Sequence, residues 1–204
     1  MRLPPLRKVE TSLIIIDMQN DFCHPEGYFG KRGRNRKLVL DVIPKLVGFL
    51  KDARKLGIPR IFTKATHPEY TNSPTFMAVR RAKYGEERIN LCLPNTWGSD
   101  IIRELTPLDD EPVITKHRYS AFFETNLPVI LKTKRIQNLL ITGVATNVCV
   151  ESTVMDAFAH DYLPVVIRDC VAAGNNELHE SSLKNIALNF GIVASAADVL
   201  KMIQ

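Results

Sequence analysis

The chain has 204 residues, of which 45% are hydrophobic, enough apolar material for one globular domain with a full core. No apolar run approaches the ~18 residues of a membrane span, and the first residues, M-R-L-P-P-L-R-K, lack the apolar core of a secretion signal. The formal charge is +5, much of it in Lys31, Arg32, Arg34, Arg36 and Lys37. No aromatic residue interleaves these basic positions, so no nucleic-acid partner is expected. The run reads as a solvated loop able to attract small anions. Cys23, Cys92, Cys149 and Cys170 are widely spaced and form no C-x-x-C pair. Reduced thiols in a cytoplasm are the expectation.

Residues 12–16, S-L-I-I-I, predict a strand buried on both faces. Asp17 ends it. In an open α/β sheet ligands bind beyond the carboxyl ends of the strands. This carboxylate is therefore a candidate general base, with a turn-forming aspartate as the plain structural alternative. Phe22, in the M-Q-N-D-F segment that follows, is a candidate for substrate contact. Residues 27–37 are Gly- and Arg-rich and predict a loop. Residues 38–56 place Leu38, Val42, Leu46, Phe49, Leu50 and Ala53 at helical spacing. Pro44 either bends that helix or marks its first turn, and Gly57 stops it. Residues 58–63, I-P-R-I-F-T, predict a second strand.

Residues 64–110 are the least patterned stretch, with one short helix around 76–83. A loop-rich segment of this length inside a compact domain is often an active-site wall. Arg80, Arg81 and Trp97 are its residues best able to recognise a substrate. Residues 112–115 predict a third strand, ended by Lys116 and followed by H-R-Y-S-A-F-F, where Arg118 and Tyr119 are further candidates for substrate contact. Lys116 has the same topological place as Asp17. A cation there can hold a carboxylate or thiolate in its charged form, although the common fate of a lysine is exposure.

Residues 126–134 predict a helix and 138–142 a fourth strand. The stretch 139–156, L-L-I-T-G-V-A-T-N-V-C-V-E-S-T-V-M-D, joins that strand through a Gly-containing turn to a helix ending near residue 160. Cys149 falls at the helix start, where unpaired backbone N–H groups and the positive end of the dipole favour thiolate over thiol. A buried cysteine acting as a small hydrophobe is the alternative. A strand at 163–167, a helix at 177–189, a short strand at 191–194 and a helix at 197–202 complete the chain. Alternating strands and helices imply a parallel sheet covered on both faces, in a single domain spanning 1–204. Such a sheet sets its carboxyl ends along one edge. Asp17, Lys116 and Cys149 can then converge as base, cation and nucleophile for acyl transfer.

Three ordered motifs, I-I-I-D-M-Q-N-D-F, K-H-R-Y-S-A-F and G-V-A-T-N-V-C-V-E-S-T, give the chain a resemblance to the isochorismatase-like cysteine hydrolases, from about residue 12 to residue 200. The resemblance implies a three-layer, doubly wound, Rossmann-like α/β fold of six parallel strands. It implies a triad in which Asp17 is the base, Lys116 the orienting cation and Cys149 the nucleophile. It further implies a cis peptide at Val144–Ala145, an oxyanion hole made by the backbone N–H groups of Ala145 and Cys149, and a homo-oligomer, dimer or larger. In the implied reaction Asp17 takes the thiol proton and the thiolate attacks an amide or ureido carbonyl. Asp17 protonates the leaving ammonia or amine, and water activated by the same carboxylate hydrolyses the thioester.

True isochorismatases resemble this chain in fold but lack the cysteine, so Cys149 argues for carbon–nitrogen bond hydrolysis. Nicotinamidases of the family carry an Asp-Trp-His-like motif and further His residues as metal ligands. The aligned stretch here is Ala65-Thr66-His67-Pro68, and one imidazole is a poor metal site. Neither a metal nor another cofactor is expected. The Lys and Cys motifs look closer to the ureidoacrylate and N-carbamoylsarcosine amidase branch. With Arg80, Arg81 and Arg118 they point to a small carbamoylated or ureido substrate carrying a negative charge. Adjacent helical positions face different ways, so at most one of Arg80 and Arg81 is expected to point into the site. A nicotinamidase-like amidase is the alternative, and a non-catalytic or thiol-redox member the alternative of a different class. The lack of a resolving cysteine in sequence and the retention of both Asp17 and Lys116 weigh against the last.

Overall fold

The structure is a computed structural model and describes residues 5–34, 36–85 and 89–203. Its strands are β1 (Thr11–Ile16), β2 (Arg60–Ala65), β3 (Val113–Lys116), β4 (Asn138–Val144), β5 (Leu163–Ala172) and β6 (Ile192–Ala194). They form one parallel sheet in the order β3-β2-β1-β4-β5-β6. Its α-helices are α1 (Asn20–Cys23), α2 (Tyr28–Lys31), α3 (Lys37–Lys55), α4 (Pro74–Tyr84), α5 (Leu127–Thr133), α6 (Glu151–Ala159), α7 (Asn176–Asn189) and α8 (Ala196–Met202).

The strand β1 shows why the sheet is covered on both sides. All its residues are buried, and successive side chains of a strand face opposite ways. Leu13 and Ile15 enter one core with Val42, Leu46, Phe49 and Leu50 of α3. Ile14 and Ile16 enter the other with Leu127 of α5, Val154 of α6 and Leu183 of α7. Fully burying such a side chain stabilises by roughly 1.5–3 kcal/mol. A one-residue slip would exchange the two sets and misfit both cores. The chain builds β1, β2 and β3 outward in one direction, then returns to β4 on the other flank of β1. That reversal makes the carboxyl ends of β1 and β4 the topological switch point.

Several boundaries differ from the sequence expectation. The expected strand at 58–63 begins at Arg60 and runs to Ala65. Ile58 N–H is drawn back onto Ala53 O at the end of α3, and Pro59 has no N–H to give the ladder. The stretch 27–37, expected to be a loop, contains α2. The helix expected around 76–83 starts at Pro74, because Ser73 caps it by accepting from Phe76 N–H, with proline at its first turn. Pro44 lies inside α3, which continues on both sides of it. The fifth strand extends to Ala172, past a register shift between Ile141 and Gly143 of its partner β4. Gly143 has φ +108°, and a Cβ there would lie 2.1 Å from Ile16 O. Only glycine lets β4 run this close to the end of β1.

Candidate active site

Asp17 is the first residue after β1 and adopts φ 51°, a left-handed conformation that Asp tolerates better than most residues. Its N–H donates to Thr63 O (3.2 Å), and Thr63 Oγ1 donates to its Oδ1 (2.7 Å). Thr63 pairs with Ile16 across β1 and β2, so the neighbouring strand orients the carboxylate. Lys116 closes β3, in register with Ala65. Its side chain lies 2.6 Å from Asp17 Oδ2 and donates to Arg118 O at 3.1 Å. Both side chains of this pair are fully buried. The ammonium and the carboxylate meet as a charge-assisted pair, and the Cys149 side chain is in hydrogen-bonding contact with both. The exposure usual for lysine does not hold here: Lys116 is 1% exposed. Removing one member of such a pair leaves an uncompensated buried charge, at a cost of roughly 3–5 kcal/mol.

Cys149 comes from β4. A cis peptide joins Val144 to Ala145, and a single π-helical stretch, Thr146–Val150, leads into α6. Ala145 O accepts from Val148 N–H (3.0 Å) and Val150 N–H (3.2 Å), which ties the turn closed. Irregular π turns of this kind often mark functional sites. The thiol is 8% exposed. Burial pushes it up to about 12, Lys116 works against that rise, and the Asp17 carboxylate adds to it. This corrects the expectation of a thiolate held by the helix start: burial and Asp17 outweigh Lys116, and the group rests as a thiol. Lys116, which burial alone would lower, is raised by the charge of Asp17 and remains an ammonium.

A cavity of about 430 Å³ opens over the switch point, with Lys116, Ala145 and Cys149 on its wall. Phe22, Arg80, Arg118 and Tyr119 line it, whereas Arg81 and Trp97 do not. Phe76 packs against His67, 5.8 Å between ring centroids, and Arg80 lies one turn further along α4 on the same face. Arg81 falls on the exposed side. Trp97 is 50% exposed and sits edge-on to His24, ring centroids 4.9 Å apart.

Arg34 and Arg36 also line the cavity, which corrects the reading of their run as a wholly solvated loop. The available signal was the Tyr28-Phe29 pair just before the run. Arg32 lies 3.6 Å from the Tyr28 ring centroid and Arg34 lies 4.6 Å from that of Phe29. Arg36 Nη1 donates to Cys23 O (3.0 Å). Two further contributors had no sequence signal. Thr63 meets Asp17 only through strand pairing. Asn175, at the start of α7, reaches the cavity through tertiary packing. Among the described residues, no group of three or more His, Cys, Asp or Glu side chains is placed to hold a metal ion. No helix of the described residues is long and apolar enough to cross a membrane, and all four cysteines are unbridged.

An open parallel sheet with a cavity over its switch point, largely apolar with a few polar and charged side chains, is the plan of an α/β protein that binds small molecules. The chain belongs to the isochorismatase family, whose domain model matches residues 11–198. It is 33% identical to the ureidoacrylate amidohydrolase RutB of Acinetobacter baylyi over 208 residues, covering 96% of this chain and 84% of the relative. It is 35% identical to that of Pseudomonas syringae pv. syringae, covering 97% and 86%. Among solved structures it is similar to an isochorismatase-like hydrolase from Alkaliphilus metalliredigens. There the TM-score is 0.80 at 28% identity, over 95% of this chain and 98% of that one.

Proposed function

We propose that this chain hydrolyses a carbon–nitrogen bond in a small amide or ureido compound bearing a negative charge, by a cysteine mechanism that uses no metal. The observation that carries the reading is the fully buried Lys116–Asp17 pair, 2.6 Å apart, beside the cavity that holds Cys149. The kinship with ureidoacrylate amidohydrolases supports the substrate class, and the cluster of cavity arginines supports its charge.

Cys149 rests as a thiol, so attack on the substrate carbonyl is coupled to proton transfer from Sγ to Asp17. The Asp17 carboxylate, with which the Cys149 side chain is in hydrogen-bonding contact, is the acceptor. Once Asp17 is neutral, the charge of Lys116 is directed at the sulfur. The backbone N–H groups of Ala145 and Cys149 hold the oxyanion. Asp17 returns its proton to the departing nitrogen, the C–N bond breaks, and a thioester remains. Asp17 then draws a proton from water, whose oxygen attacks the thioester carbonyl; the C–S bond breaks, and Asp17 passes that proton to the departing sulfur, which restores the Cys149 thiol and the Asp17 carboxylate. Arg80 and Arg118 hold the carboxylate of the substrate. The enzyme works in a reducing cytoplasm as a homo-oligomer.

The test is ammonia or amine release from a panel of ureido acids, simple amides and nicotinamide. Activity on a ureido acid that is lost in Cys149→Ala and survives exhaustive dialysis against a chelator is the expected result. Nicotinamide as best substrate, or turnover that is intact in Cys149→Ala, would overturn the proposal.

A further inference from the structure

His67 lies just past β2, at the same carboxyl edge of the sheet as Asp17, and is 7% exposed. Its backbone N–H donates to Cys92 O (3.2 Å), and its ring stacks on Phe76 while lining the catalytic cavity. Nδ1 is sealed from solvent and has no hydrogen-bond partner among the described residues. Burial, then the positive charges of Arg80 and Lys116, push the imidazole down to about 4, with Asp17 opposing them. The ring is therefore neutral at ordinary pH and forms no salt bridge.

A buried polar nitrogen without a partner is costly. If His67 served packing alone, a phenyl ring would stack on Phe76 without that cost. A neutral imidazole carries one N–H and one lone pair. A sealed lone pair is tolerated more readily than a sealed N–H, which assigns the proton to Nε2 and leaves the ring a donor toward the cavity. The donors around it converge: Arg80 lies on the same helix face as Phe76, and the Arg118 guanidinium is 5.0 Å from the Phe76 ring centroid. The reactive carbonyl must sit at Cys149. His67 and Arg80 line the same cavity as Cys149, so a substrate whose carbonyl sits at Cys149 can present a second, charged group to them.

We propose that His67 is a specificity-determining residue whose Nε2–H binds the carboxylate of the substrate alongside Arg80. This rests on the cavity being the substrate site, as argued above. The neutral donor supplies direction where the guanidinium supplies charge.

The test uses the full chain carrying Cys149→Ala, so that ligand is not consumed, with N-carbamoylglycine and its neutral analogue N-carbamoylglycinamide as probes. Binding and unliganded melting temperature are measured with and without His67→Phe and His67→Gln. His67→Phe should weaken N-carbamoylglycine about 10- to 100-fold, the worth of one hydrogen bond to a charged group. It should leave the glycinamide unaffected and melt no lower than its parent, while His67→Gln should retain most of the affinity. Unchanged N-carbamoylglycine affinity in His67→Phe, equal weakening of both probes, or a clearly lower melting temperature would each overturn the assignment. Failure of the parent to bind either probe would overturn the ureido-acid reading of the site, and this inference with it.

Discussion

At the scale of single residues, the thiol of Cys149 is kept protonated partly by the carboxylate that is proposed to receive its proton. Asp17 is among the causes of the rise to about 12, and Lys116 opposes it. Replacing Asp17 by Asn removes a raising influence and leaves Lys116 unpaired, so the Cys149 pKa must fall. Two readouts then move in opposite directions. Turnover by Asp17→Asn should drop by roughly 10²–10⁴-fold, because the amide cannot shuttle the proton. Alkylation of Cys149 by iodoacetamide should become faster than in wild type at pH 7–8, followed by mass spectrometry. Slower alkylation in the variant would contradict the electrostatic account. The two adjacent arginines separate in the same way: Arg80→Ala should raise KM for an anionic ureido substrate about tenfold or more, and Arg81→Ala should not.

At the scale of elements, α4 decides which of those arginines reaches the cavity. The helix is set by its Ser73 cap, with Pro74 in the first turn and Gly85, in a left-handed conformation, after the last. Ser73→Ala should cost about 1 kcal/mol, seen as a lower melting temperature. It should also raise KM more than it lowers kcat, since Phe76 and Arg80 are carried on that helix while Cys149 is not. The turn before Cys149 depends on a different local condition. Gly143→Ala forces a methyl group against Ile16 O in a backbone conformation that alanine avoids. A loss of about 3 kcal/mol or more is expected in chemical denaturation.

At the scale of the whole molecule, a buried ion cluster ties the far edge of the sheet to α3. Glu111 accepts from Arg54 Nη2 (2.7 Å), Arg60 Nε (2.7 Å) and Leu108 N–H (2.9 Å). Burial alone would raise its carboxyl, but these partners bring it from 4.5 down to about 2. A depressed folded-state pKa means stability that is present above about 4.5 and is lost as pH falls toward 2. Glu111→Gln should therefore be less stable at pH 7, by about 2 kcal/mol or more. It should also lose less stability than wild type on acidification from pH 5 to pH 2. Parallel curves for the two proteins would assign the acid sensitivity to other carboxylates.

What the sequence determined by itself follows from short-range and periodic physics. The β-branched run of β1, the 3.6-residue spacing of α3 and the Gly-containing turn before Cys149 suffice to specify a parallel α/β sheet. They also place Asp17, Lys116 and Cys149 at strand ends. Register, side-chain direction and electrostatic environment belong to the tertiary structure. Arg80 is separated from Arg81 only by the rotation of α4 on the core, and Trp97 was lost to the surface by the path of its loop. Arg34 and Arg36 were drawn to the cavity by α2. Thr63 became the partner of Asp17 because β2 lies beside β1. Charge states were the least legible, because a group's pKa depends on burial and on charges brought together from distant parts of the chain. The sequence placed Cys149 at the start of a helix, which favours thiolate, and only the packed fold put it in a buried site beside a carboxylate, where it rests as a thiol.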